Sequence, residues 1–207
     1  RRQRQMCIRD SIITMEDPIE YVHRHEGCIV TQREIPSDVA TYAEALRSAM
    51  REAPDVILLG EMRDQETIGT AMTAAEMAQL LFSTLHTTGA SSTVDRIIDA
   101  FPANQQRQIR MQLSLVLQAV VSQQLVPTVE GGIVPVFEIM TATPAIRNLI
   151  REGKTPQIAN ALATSASVGS ITMDNALINL FKRNLIDAQT AIDAAHDVEY
   201  VTKRTSR

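Results

Sequence analysis

An α/β domain built on a parallel sheet is what this sequence predicts. Short apolar runs alternate with helical stretches from Ser11 to Ala100, the pattern of strands joined by crossover helices. The run Asp55-Val56-Ile57-Leu58-Leu59-Gly60 has no polar face, as a central strand of such a sheet requires. After Phe101-Pro102 the character changes, and a hairpin and a C-terminal helical subdomain are expected to follow the core. The expected organisation is therefore an N-terminal arm or fragment edge over 1–10, the α/β core over 11–102, and the hairpin and helical region over 103–207.

Taken in order, Ser11-Ile12-Ile13-Thr14-Met15 reads as a strand ended by Glu16-Asp17-Pro18, and Cys28 to Ile35 as a second. Tyr42 to Glu52 places Ala45, Leu46, Ala49 and Met50 at helical spacing, with Thr41 or Asp38 as cap and Pro54 closing it. Gln65 to Ala78 predicts a helix, Leu80 to Leu85 a further buried strand, and Ser91 to Ala100 another helix. Gln105 to Gln124 reads as one long helix, apolar at Ile109, Leu113, Val116, Leu117, Val120 and Val121. Leu125 to Val129 and Ile133 to Met140 flank Glu130-Gly131-Gly132 as a hairpin. Pro144 to Arg151, Gln157 to Ala163, Thr172 to Arg183 and Ala188 to Ala195 read as short helices.

Composition narrows the function. The 207 residues carry a net charge of -4 and are 3% aromatic with no Trp, which argues against a nucleic-acid binder driven by counterion release or base stacking. No apolar run approaches the ~18 residues of a membrane span. Cys7 and Cys28 cannot make a disulfide framework and suit a reducing cytosol. Residues 1–10 hold four Arg and one Asp, a basic arm that reads as a fragment edge.

In an open parallel sheet, ligands sit beyond the carboxyl ends of the strands. Here those ends are polar: Glu16-Asp17 with Glu20 behind, then Gly60-Glu61, then His86-Thr87-Thr88. Carboxylates beside a hydroxyl and an imidazole suit phosphoryl transfer, which needs Mg²⁺ and a polarised water. Asp55 lies six residues before Glu61, so at ~3.3 Å per residue the two occupy opposite ends of one strand and cannot share a metal. On these grounds alone Glu61 reads equally well as a solvated loop acid, and His86 reads better as a satisfied loop histidine. Gly153-Lys154-Thr155 resembles the end of a phosphate-binding loop, but Asn148 stands where that pattern needs Gly.

Three ordered segments make the sequence recognisable: Thr14 to Tyr21 (TMEDPIEY), Asp55 to Asp64 (DVILLGEMRD) and Ser83 to Ala90 (STLHTTGA). They resemble the Asp box, Walker B and His box of the secretion ATPases that drive type II secretion and type IV pili. The resemblance runs from Ser11 to at least Ile186, leaving out residues 1–10, which do not look like family sequence, and implies an incomplete RecA-like P-loop NTPase core, acting with Mg²⁺ and ATP. Ala145-Ile146-Arg147-Asn148-Leu149-Ile150-Arg151-Glu152 matches the motif of the pilus-retraction branch, the motors of twitching motility. The four-cysteine zinc loop usual in extension and secretion relatives is replaced by the Gly131-Gly132 turn.

By that resemblance Glu61 is the catalytic carboxylate, assisted by Glu20 and His86. Glu16, Asp17, Gly60, Thr87 and Arg33 lie near nucleotide and Mg²⁺, with no metal ligand assigned beyond Mg-ATP. Arg33 reads alternatively as a surface ion pair. The motif at 145–152 serves mechanical output. The partners implied are five further copies in a homo-hexamer, an inner-membrane pilus platform protein and a paralogous retraction ATPase, at the cytoplasmic face of the bacterial inner membrane. No G-x-x-x-x-G-K-[ST] occurs, so the expectation is the C-terminal part of an ATPase, inactive alone. Two alternatives stay open: a nucleotide-incompetent interaction module of a mixed hexamer, and a pilus-extension or type II secretion ATPase.

Overall fold

The computed structural model describes residues 11–206, so the basic arm lies outside the described residues. Two compact units divide the chain, the first ending at His86 and the second beginning at Thr87.

Four parallel strands form the sheet of the first unit: β1 (Ser11–Glu16), β2 (Ile29–Glu34), β3 (Val56–Leu59) and β4 (Leu80–Ser83), in the order β2-β1-β3-β4. Helices α1 (Tyr42–Arg51) and α2 (Gln65–Glu76) follow β2 and β3 in the chain. Ile13, Met15, Ile57 and Leu59 bury one sheet face against Ala45, Leu46 and Ala49 of α1 and Ala71 and Ala74 of α2. Four of those five helix residues are Ala, so the helix backbones approach the sheet closely. Each helix starts on a side-chain cap: Thr41 Oγ1 accepts from Glu44 N at 3.2 Å, and Asp64 Oδ1 from Thr67 N at 2.8 Å.

Met15 stands opposite Arg33 and Leu59, and Leu59 opposite Ser83. This register gathers all four carboxyl ends on one edge. Asp55 directly precedes β3, at the end opposite Glu61, its Oδ2 accepting from Ser11 N at 2.8 Å. The expectation of a buried strand at 80–85 needs correction. β4 pairs only with β3 among the described residues, stops at Ser83, and leaves Leu80 49% and Phe82 54% exposed.

The second unit opens with α3 (Ala90–Asp99) and α4 (Ala103–Val116). The expected helix over 105–124 ends eight residues early, and β5 (Ala119–Pro127) pairs antiparallel with β6 (Ile133–Thr141). The reason lies in the side-chain period. Val120, Ser122 and Val126 point inward while Val121, Gln123 and Leu125 point out, a repeat of two that fits a strand and not a helix. Thr128 Oγ1 accepts from Gly132 N at 2.9 Å in the hairpin turn, where Gly131 adopts φ +88°.

Helices α5 (Pro144–Glu152), α6 (Ile158–Ala163), α7 (Met173–Lys182), α8 (Ala188–Asp193) and α9 (Val198–Thr205) complete this unit. Val126 and Val136 from the inner hairpin face pack with Met173, Leu177, Ile178, Ile186, Ala191 and Val201. No sequence signal pointed to α9, which buries only Val201 and Thr205 and is capped by Asp197.

Candidate functional site

The loop after β3 is pinned at three backbone points. Gly60 N donates to Met15 O at 2.7 Å, Gly60 O accepts from Thr84 Oγ1 at 2.5 Å, and Met62 N donates to Thr84 O at 3.1 Å. Glu61 sits between these anchors, so its side chain leaves a fixed backbone. It is 8% exposed. Its Oε1 meets Arg63 Nη2 at 2.5 Å; its buried Oε2 lies 3.4 Å from His86 Nε2 yet has no hydrogen-bond partner.

A buried carboxylate oxygen without a partner is costly. Here it faces an imidazole whose side chain is 87% exposed, so the site is open on the His86 side. Such an oxygen can hold and polarise a water. Arg63 stays charged throughout, because its hydrogen bond to Glu61 raises its pKa above the ordinary arginine value.

Gly60 has a steric reason. A Cβ there would lie 2.9 Å from Met15 O and 2.9 Å from the Tyr42 hydroxyl. Tyr42 is thus a residue of this site that sequence reasoning passed over as the first residue of a helix. Arg63 was passed over too, although its place two residues beyond Glu61 was a usable signal.

The other expected residues divide. Glu16 Oε1 accepts from Thr14 Oγ1 at 2.5 Å and from Gln32 Nε2 at 3.0 Å, which ties it to the sheet. Asp17 and Glu20 are exposed at the same strand edge. Arg33 donates to Glu52 Oε1 at 2.5 Å, with Nη1 buried and unpartnered. Thr87 belongs to the second unit, where its hydroxyl bonds Thr93 Oγ1 at 2.8 Å. Among the described residues no three His, Cys, Asp or Glu side chains converge to hold a metal ion. Residues here could therefore share Mg²⁺ with a ligand's phosphates but not cage it alone.

The segment 145–152 splits by face. Ile146 and Ile150 are fully buried, while Ala145, Asn148, Arg151 and Glu152 are exposed and Leu149 is half-buried. Arg147 turns back to α4, donating to Ser114 O and Leu115 O at 2.9 Å each, to Ala142 O at 3.0 Å and to Gln118 Oε1 at 3.1 Å.

A sequence profile of the family described as "Type II/IV secretion system protein" matches residues 4–175. The chain belongs to the type II/IV secretion system protein family. The match begins at Arg4 and so takes in most of the basic arm. The type IV pilus retraction ATPase PilT of Pseudomonas aeruginosa is 51% identical over 184 residues, 89% of this chain and 54% of that protein. A twitching motility protein of Neisseria gonorrhoeae is 51% identical over 189 residues, 91% of this chain and 50% of that protein. The chain thus spans about half the length of these curated relatives. A crystal structure of the pilus retraction motor PilT with bound ADP superposes with a TM-score of 0.84 at 47% identity, covering 92% of this chain and 54% of that one. RecA-like architecture for the family sheet agrees with this likeness. No helix of the described residues is long and apolar enough to cross a membrane.

Proposed function

We propose that this chain is the hydrolytic and output part of a hexameric ATP-driven motor that retracts type IV pili, working at the cytoplasmic face of the inner membrane. The observation that carries the reading is Glu61, a buried carboxylate at the carboxyl edge of a parallel sheet with one oxygen unpartnered beside His86. Support for retraction comes from the names of relatives half identical to this chain.

In this reading Glu61 Oε2 takes the proton of the attacking water as general base. Arg63 on Oε1 fixes the carboxylate plane, and His86 sits where a terminal phosphate would be sensed. Glu16 anchors the strand edge, while Asp17 and Glu20 contribute negative charge there. Mg²⁺ enters with the nucleotide and supplies charge neutralisation at its phosphates. Arg33 can serve phosphate only by leaving Glu52. A phosphate-binding loop comes from sequence outside these 207 residues, since none contains that motif. The exposed half of the motif at 145–152 faces the partners of force output, a platform protein at the membrane among them.

The test is ATP hydrolysis, with oligomeric state recorded in parallel, on this chain and on a version extended upstream through a phosphate loop. Hydrolysis and hexamers in the extended version alone are expected. Inactivity of both would replace the motor by an interaction module that binds neighbours without turning over nucleotide.

A further inference from the structure

We propose that Tyr42 is a further catalytic residue of this site, its hydroxyl donating a hydrogen bond to the water that Glu61 deprotonates. The inference rests on the hydrolytic reading above and adds a group to it.

The backbone of Tyr42 is set by the cap at Thr41, which places it as the first residue of α1. Its ring packs against the core of the first unit. Its hydroxyl ends beside Gly60, 2.9 Å from the position a Cβ would take. That is one residue from Glu61. Larger side chains at position 60 would expel the hydroxyl, so the glycine and the tyrosine form a matched pair.

Polar groups converge there with capacity to spare. Glu61 Oε2 is buried without a partner, and the Tyr42 hydroxyl lies close enough to feel the Glu61 charge. One can only accept and the other can donate. A water between them would accept from the phenol and donate to the carboxylate, which satisfies the open oxygen of Glu61. The phenol holds its proton firmly: burial first, then the charges of Glu61, Asp17 and Glu16, push its pKa above the ordinary value, against a smaller opposing pull from Arg63.

The proton balance is simple. Water gives one proton to Glu61, its oxygen bonds the terminal phosphorus, and the bond from that phosphorus to the diphosphate oxygen breaks. Tyr42 keeps its own proton throughout. Its part is to aim a lone pair of the water and to hold the water in place.

Tyr42→Phe removes the hydroxyl and keeps the ring, so the fold is expected to persist. In the full-length protein kcat should fall about tenfold, the worth of one transition-state hydrogen bond. KM for ATP, affinity for ADP and the thermal midpoint should stay unchanged. Glu61→Gln is measured beside it. An unchanged kcat in Tyr42→Phe with an inactive Glu61→Gln would overturn the role of Tyr42 and leave the hydrolytic reading standing. A fall in kcat matched by a lower thermal midpoint would make Tyr42 a packing residue and overturn the proposal. Normal turnover in Glu61→Gln would remove the hydrolytic reading, and this inference with it.

Discussion

Arg147 holds the end of a neighbouring helix: its Nη1 donates to the carbonyl of Ser114 at 2.9 Å, in the last turn of α4. The last carbonyls of a helix have no partner within it. Arg147 supplies one for Ser114 and one for Leu115, then reaches Gln118 just before β5 begins. The turn from helix to strand is therefore stapled by a single side chain. Arg147→Ala should lower stability by about 2 kcal/mol, because several charge-assisted hydrogen bonds are lost from a half-buried position. Arg147→Lys should recover only part of that, since a point charge cannot reproduce the fork. Chemical denaturation of the three proteins measures it, and equal midpoints would show that the staple carries no weight.

Gly60→Ala should be costly for a different reason. The added methyl meets the backbone oxygen of Met15 at 2.9 Å, and that oxygen belongs to the strand that also accepts from Gly60 N. Either the loop moves or the bond breaks. We expect a loss of about 1–3 kcal/mol, the usual range for overpacking, together with reduced ATP turnover in the full-length protein. Unaltered stability and turnover would mean that the loop adapts freely.

Glu138 joins two helix starts from inside the second unit. It is 8% exposed, and its oxygens accept from Ala90 N at 2.7 Å and Met173 N at 3.2 Å. A carboxylate at two N-termini answers amides that the helices themselves leave open. Glu138→Ala should cost about 3 kcal/mol by orphaning buried donors. Hydrogen exchange should rise at the amides of Ala90 and Met173 together. A rise at only one would show that the two helix starts are not coupled through this side chain.

The core of the first unit was legible in the sequence because its strands are short apolar runs and its helices carry their apolar residues at helical spacing. The carboxyl-edge position of Glu61 and His86 followed from that order alone. The hairpin was only half legible. Val116, Leu117, Val120 and Val121 fit a helical stripe on paper, yet Val120 is buried and Val121 is 60% exposed, and pairing with β6 decides between the two periods. Tyr42, Glu138 and the contacts that Arg147 makes stayed hidden for a common reason. Each acts on a residue between 5 and 48 positions away, through a contact that only the fold creates.

Acid should reveal the cap of α2. The carboxyl of Asp64 is held below its ordinary range, first by the amide of Thr67 and then by the Thr67 hydroxyl, against a smaller opposing effect of burial. A carboxylate with a depressed pKa stabilises the fold above its unfolded value of about 4 and loses that contribution as pH falls through the folded value. Asp64→Asn should therefore be less stable than the parent at neutral pH, with the gap closing on acidification below about pH 4. Denaturation midpoints of both proteins across that window measure it, and a gap independent of pH would assign the cap to hydrogen bonding without charge.

The central claim is that Glu61 removes the proton from the attacking water. Steady-state ATP hydrolysis by Glu61→Gln in the full-length protein, with nucleotide binding measured on the same preparation, tests it most directly. The account predicts turnover reduced by at least about a hundredfold with binding retained, because an amide cannot serve as base. Near-normal turnover would contradict it.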